Sequence, residues 1–273
     1  KYLANVLEGQ AWSATMGSWV HGLEAAFAKK IGTRYGVAVN SGTAALHMAL
    51  ETVGVEPGDE VISPAVTVIM DSTATIHANA IPVYADVDEK TFLIDPDDFE
   101  RKITPKTKAV IVVALYGASP DYERILRIAK AHHIAVIEDN AQAVLSQYHG
   151  KTLGTIGDIS CFSFENSKHI SCGEGGMLLT NNEEYAEKAR KIGGHGFKNL
   201  KADEGRVRYT NKEMFQNPKY KRHDALGWNY RMPEFAAAVA SAQLERVEEF
   251  IRLRQESAKI FMEAIADCPY MTA

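Results

Sequence analysis

Short apolar runs alternate with segments of helical period between residues 36 and 180. The runs at 36–39, 60–63, 81–85, 108–114, 134–138, 159–164 and 177–180 are brief and mostly rich in Val, Ile and Leu, which predicts strands buried on both faces. Segments 42–53, 67–78, 120–133 and 182–192 have helical periodicity. Asp95 followed by Pro96 marks the start of one further short helix, because a carboxylate caps and proline fits the first turn. Buried strands separated by helices predict an α/β fold with a mainly parallel, partly mixed sheet flanked by helices. The last strands are closely spaced, so local antiparallel pairing is expected there. After Gly193 the pattern changes. Residues 195–227 have few apolar runs and many charges, and read as a long loop. From 234 to 266 a helical period returns, with Phe235, Val239, Ala242, Val247, Phe250 and Ile251 on one broad face.

Composition narrows the function classes without choosing one. The chain of 273 residues is long enough for a large domain with ample core, and its 46% hydrophobic and 24% charged content is ordinary for a globular protein. A net charge of −5 argues against nucleic acid or an anionic membrane as the main partner. Cys161, Cys172 and Cys268 form no CxxC pair and are odd in number, so reduced thiols of a cytoplasmic protein are the simplest account and no metal site is indicated. No apolar run has membrane-spanning length, and Glu8, Trp12 and His21 are foreign to a signal peptide. A cytoplasmic, membrane-free protein is expected.

The chemistry concentrates in three places. Lys168 closes the run Ser163-Phe164-Glu165-Asn166-Ser167-Lys168 and is followed by Gly173-Glu174-Gly175-Gly176. Asp139 follows the apolar run that ends at Ile137, with Gln142 three residues on, so it sits at the carboxyl end of a strand, where open α/β sheets bind ligands. Asn40-Ser41-Gly42-Thr43 lies where a strand turns into a helix, and a helix amino terminus presents unpaired N–H groups to an anion. Each signal has a bland counterpart. A lone lysine is usually solvated, Asp139 could cap a helix starting near Asn140, and Ser-Gly-Thr is itself a good helix cap. Together, a strand-end aspartate, a glutamine and a lysine in a Ser/Gly-rich turn are the parts of a pyridoxal phosphate site. The lysine amine condenses with the cofactor aldehyde, and the aspartate keeps the pyridine nitrogen protonated. Glu138 points to the other side of the strand and reads as structural.

These motifs resemble the sugar aminotransferases of the DegT/DnrJ/EryC1/StrS family, within the fold-type I pyridoxal phosphate enzymes. The match rests on Ser-Phe-x-x-x-Lys with Gly-Glu-Gly-Gly, on Ser41-Gly42-Thr43-Ala44-Ala45, and on Gly227-Trp228-Asn229-Tyr230-Arg231-Met232. The resemblance implies an aspartate-aminotransferase-like large domain over residues 1–240, with 241–273 as the start of a smaller carboxy-terminal domain that is apparently truncated. It also implies pyridoxal 5'-phosphate on Lys168, Gln142 at the phenolic oxygen, and Ser163 as a second phosphate donor. Asn229 would complete the phosphate site of a neighbouring subunit, which makes the working unit a homodimer with shared active sites. A local loop-to-helix turn ahead of Pro233 is the alternative for that motif.

The implied reaction converts a nucleotide-linked keto sugar to an amino sugar, with glutamate or glutamine as amino donor. The alternatives are a pyridoxamine-dependent sugar dehydratase, whose family members have histidine where this chain has Lys168, and a non-catalytic cofactor-binding relative. Two positions depart from the family pattern: Val68 stands where an aromatic residue usually covers the ring, and Asn140 where a small residue is usual. The loop at 195–227 is net basic in an acidic chain. Arg206, Arg208 and Arg222 in it, and Arg231 beyond it, are candidates for binding the substrate diphosphate, since guanidinium grips phosphate oxygens in pairs. A solvated loop is the plain alternative.

Overall fold

The structure, a computed structural model, describes residues 1–205 and 217–271. Two helices, α1 (Tyr2–Gly9) and α2 (Trp19–Ile31), precede the first strand, and neither is anticipated by the sequence reading. The alternating region then runs β1 (Tyr35–Val39), α3 (Gly42–Val53), β2 (Glu60–Pro64), α4 (Ile69–His77), β3 (Ile81–Ala85), α5 (Pro96–Arg101) and β4 (Thr107–Val113). It continues with α6 (Tyr122–His132), β5 (Ala135–Asp139), a small hairpin of β6 (Gln147–Tyr148) and β7 (Lys151–Thr152), then β8 (Ile159–Ser163), β9 (Gly176–Thr180) and α7 (Glu183–Gly193). Two helices close it, α8 (Glu234–Leu244) and α9 (Val247–Ile265).

Seven strands form one sheet in the order β1-β9-β8-β5-β4-β2-β3. The pairs β2–β3, β2–β4, β4–β5 and β5–β8 are parallel, whereas β9 is antiparallel to both β8 and β1. Reversal of β9 alone is what the close spacing of the later strands predicts. All the other strands therefore deliver their carboxyl ends to one edge.

Successive side chains of a strand point to opposite faces, and both faces here are apolar. On β4, Ala109, Ile111 and Val113 pack with α3, α4 and α7, while Val110 and Val112 pack with α5 and α6. A third cluster joins α2 and α8 to β8 and β9 through Leu23, Phe27, Phe162, Met177 and Ala240. Two-sided burial leaves no solvent face to choose, which is why these strands read as apolar runs rather than alternations.

Two expectations need correction. The helix predicted over 234–266 is two helices, with Glu245 and Arg246 between them. The buried face is Ala237, Ala238, Ala240 and Leu244 rather than Phe235, Val239 and Ala242, which are half-buried. Small side chains let α8 approach α2 closely, and bulk alone misjudges that face. The segment predicted as a helix from 67 starts at Ile69, with Val68 as its cap residue.

Two long-range carboxylates hold α2 in place, and neither is evident from sequence. Glu234 is buried and accepts hydrogen bonds from Trp19 N (2.7 Å) and Val20 N (3.1 Å), so it caps α2 from a distant part of the chain. Glu24 makes a two-pronged pair with Arg190 at 2.8 and 2.9 Å and also accepts Ala38 N at 2.9 Å. Arg190 further donates to Gly36 O and Ala202 O. Both partners are buried, so removing one leaves an uncompensated charge in the core. Glu24→Ala should therefore destabilise the protein by about 3–5 kcal/mol, read by denaturant unfolding. A loss no larger than that of an exposed pair would show that water reaches Arg190.

Candidate active site

Asp139 is the last residue of β5, on the sheet edge where the parallel strands end. It is buried, and Asp139 Oδ1 accepts Ala141 N at 2.9 Å. No helix starts near Asn140, so Asp139 is not a helix cap. Among the described residues its carboxyl forms no salt bridge. Burial pushes it above the usual carboxylate range, against the opposing pull of the Ala141 amide and the Lys168 charge. A buried carboxyl beside a lysine, with no salt-bridge partner, suits a protonated ring nitrogen.

Its neighbour Glu138 faces the other way, as strand geometry requires. The Glu138 carboxylate accepts Gly154 N (2.7 Å), Ile156 N (2.8 Å), Gly157 N (2.7 Å) and Asn140 Nδ2 (3.2 Å). It is fully satisfied and structural.

The turn that carries Lys168 is pinned by its own residues. The Glu165 carboxylate accepts Ser167 N at 2.9 Å and Ser167 Oγ at 2.6 Å, and Lys168 N donates to Glu165 O at 3.0 Å. Phe164 N bonds Gly175 O and Cys172 N bonds Phe164 O, so the Gly-Glu-Gly-Gly segment folds back on the end of β8. Lys168 is half-buried and opens on a cavity of about 560 Å³ lined also by Tyr116, Gln142, His169 and Arg254. Gln142 Oε1 accepts Tyr116 N at 2.8 Å, which leaves the Gln142 amide N–H groups to point elsewhere.

The Ser41 segment and Ser163 meet across a gap only glycine allows. A Cβ on Gly42 would lie 2.8 Å from Ser163 Cβ and 3.2 Å from Ser163 Oγ. A Cβ on Gly176 would lie 2.7 Å from the Ser41 carbonyl. Ser41 does cap α3, accepting Ala44 N at 3.0 Å, and Thr43 is half-buried in the first turn. The α3 amino terminus, the Thr43 hydroxyl and the Ser163 hydroxyl thus form one donor-rich corner that fits a phosphate. The buried Asp139, the half-buried Lys168 and this corner all fit pyridoxal phosphate.

The remaining candidates are less convergent. Val68 is half-buried at the start of α4. The Asn229 side chain is exposed, while its carbonyl accepts Asn40 Nδ2 of the same chain at 3.3 Å. Arg231 pairs with Val39, is half-buried, and has Nη1 buried without a partner among the described residues. Arg222 is half-buried, with its carbonyl bonded to Lys198 N. Arg206 and Arg208 lie outside the described residues.

One residue of this site escapes the sequence reading. Asp71, in the first turn of α4, is buried against Asp139 and accepts Thr67 Oγ1 at 2.6 Å. The available signal was a carboxylate on the same helical face as Ala74, Thr75 and Ala78.

Residues 1–273 match the DegT/DnrJ/EryC1/StrS aminotransferase family along their whole length. The chain belongs to that family. The GDP-perosamine synthase of Caulobacter vibrioides is 39% identical over 255 residues, covering 93% of this chain and 64% of the synthase. The chain thus spans a little under two thirds of that relative's length. Among solved structures, the aminotransferase from Psychrobacter cryohalolentis superposes with TM-score 0.86 at 31% identity, over 97% of this chain and 65% of that one. A GDP-4-keto-6-deoxymannose-3-dehydratase with bound GDP-perosamine superposes with TM-score 0.87 at 28% identity, over 99% of this chain and 71% of that one. Fold-type I neighbours of this kind agree with the mixed sheet described above.

Burial raises both carboxyls, Asp71 well above and Asp139 less far above the ordinary range. A carboxyl raised in the folded state stabilises fully below its unfolded value of about 3.9, and the contribution is lost as pH climbs through the folded value. Cofactor-free wild type should therefore lose thermal stability from about pH 4 upward more steeply than cofactor-free Asp71→Asn. Parallel melting curves for the two would mean that Asp71 ionises as freely as a surface carboxyl.

Proposed function

We propose that this chain carries the cofactor-binding part of an aminotransferase that turns a nucleotide-linked keto sugar into an amino sugar, with glutamate or glutamine as amino donor. The observation that carries this reading is Lys168, held on a pinned turn at the same sheet edge as buried Asp139. Pyridoxal 5'-phosphate, when bound, supplies the electron sink for charge developing beside the amine.

The residues of the chain would do the rest. The amine of Lys168 would hold the cofactor through its aldehyde and, once displaced by the donor's own amine, would be free to take the proton from the donor's α-carbon and to return one on the substrate side. Asp139 keeps the proton on the ring nitrogen. The Gln142 amide, oriented by its bond from Tyr116 N, donates to the phenolic oxygen. Ser41, Gly42, Thr43 and Ser163 hold the phosphate. Val68 would offer the ring an apolar contact in place of an aromatic face.

Asn229 would act in the site of a second copy, in a homodimer with shared active sites, its exposed side chain being available for that. Arg206, Arg208, Arg222 and Arg231 would meet the diphosphate of the nucleotide sugar, and the cytoplasm would supply both substrates. Helix α9, which buries little beyond Val247, would lead from the large domain over 1–240 into a smaller one. Likeness to a sugar dehydratase keeps deoxygenation as the second reading, and Lys168 favours transamination over it.

The test is product mass after incubating the full-length protein with glutamate and a panel of nucleotide keto sugars. Exchange of the keto oxygen for an amino group is the expected outcome, and loss of a hydroxyl group without nitrogen uptake would establish the dehydratase. Lys168→Ala should abolish transfer while the protein stays folded. Asp139→Asn should keep cofactor yet turn over about 100-fold or more slowly. Wild-type turnover in either variant would remove that residue from the mechanism.

A further inference from the structure

Asp71 has no part in the mechanism above, yet it is as deeply buried as any residue near Lys168. It reaches the site from α4, while Asp139 reaches it from β5, both are buried, and the two carboxyls act on each other, Asp139 raising Asp71 and Asp71 lowering Asp139. Asp71 Oδ2 accepts the Thr67 hydroxyl, and Asp71 Oδ1 is buried with no donor among the described residues. Two buried carboxylates that act on each other in this way cannot both ionise, so the pair keeps one proton.

Which oxygen carries it follows from the surroundings. Asp139 has the Ala141 N–H and the nearby Lys168 charge, both of which favour its ionised form. Asp71 has one neutral hydroxyl donor and no cation. The other titratable group facing the pair from β8 is the Cys161 thiol, which burial and the charges of Asp139, Asp71 and Glu138 push up and keep neutral. Glu138 points to the opposite face and is occupied by its own donors. The proton therefore rests on Asp71, and the partnerless Oδ1 is the oxygen placed to donate it.

We propose that Asp71 is a positioning residue for the cofactor ring: as a neutral acid it donates a hydrogen bond to Asp139, fixes that carboxylate toward the pyridine nitrogen, and limits the pocket to one negative charge. This rests on the pyridoxal phosphate reading of the site. It predicts that a neutral donor, rather than a charge, is what position 71 must supply. Asparagine meets that need and leucine does not.

Infrared difference spectra of cofactor-free wild type against Asp71→Asn should show a protonated-carboxyl band at neutral pH in wild type that the variant lacks. Pyridoxal phosphate affinity, from the visible absorbance on titration, should stay within about threefold in Asp71→Asn and fall about tenfold or more in Asp71→Leu, as expected for loss of a hydrogen bond to a charged group. Asp71→Ala gives the same comparison if the leucine variant fails to fold. Wild type that takes up no pyridoxal phosphate overturns the cofactor reading and this inference with it. Uptake with no protonated-carboxyl band, or with asparagine as damaging as leucine, overturns the inference alone.

Discussion

Strand β5 ends in two adjacent buried carboxylates that face opposite sides of the sheet, and the site depends on their unequal treatment. Glu138 is saturated by three backbone N–H groups and an amide, so it ties β5 to the chain leading into β8. Asp139, one residue on, receives a single backbone donor. A buried carboxylate without enough donors is costly, and the cost is offset only by a cation or a proton. The first carboxylate builds the scaffold. The second leaves a demand that Lys168, a protonated ring nitrogen, or Asp71 can meet.

The scaffold directs that demand to one place. Parallel strands carry their ends to a common edge, and each end turns into a segment with a distinct task. The end of β1 opens the α3 amino terminus, β2 leads to Thr67, Val68 and Asp71, β5 supplies Asp139, and β8 leads to Lys168. Reversed β9 packs its first residue, Gly176, against Ser41, which draws the β1 and β8 ends together. The glycines are therefore close-approach positions, required by the distance between strand ends rather than by a turn.

Outside the sheet, stability relies on charges that cross large sequence distances. Glu234 caps α2, and Arg190 ties α7 to Glu24 of α2 and to the β1 backbone. Each joins parts of the chain that the hydrophobic pattern alone would leave adjacent but unaligned. The segment bearing Asn229 and Arg231 returns to the end of β1 through the Asn40 and Val39 backbone contacts. That return places the Gly-x-Asn-x-Arg segment beside the phosphate corner of its own chain, with the asparagine side chain exposed.

The sequence by itself determined the alternation of strands and helices, the strand runs and the cap at Asp95, because each depends on local period, and its contiguous motifs singled out Ser41, Gly42, Asp139, Gln142, Ser163 and Lys168 as candidates. It missed α1 and α2, whose caps lack a side-chain bond from a neighbouring residue, so no local signal marks their starts. It also joined α8 to α9 and weighted Phe235 over the small alanines, since close helix packing rewards small side chains that a bulk-based period overlooks. Asp71 was missed for a deeper reason, although it shares a helical face with Ala74, Thr75 and Ala78. A carboxylate in a helix reads as surface until the fold brings a second one against it, and no spacing along the chain encodes that encounter. Local period and contiguous motif fixed the parts, and only tertiary packing decided which buried charges would have to share a proton.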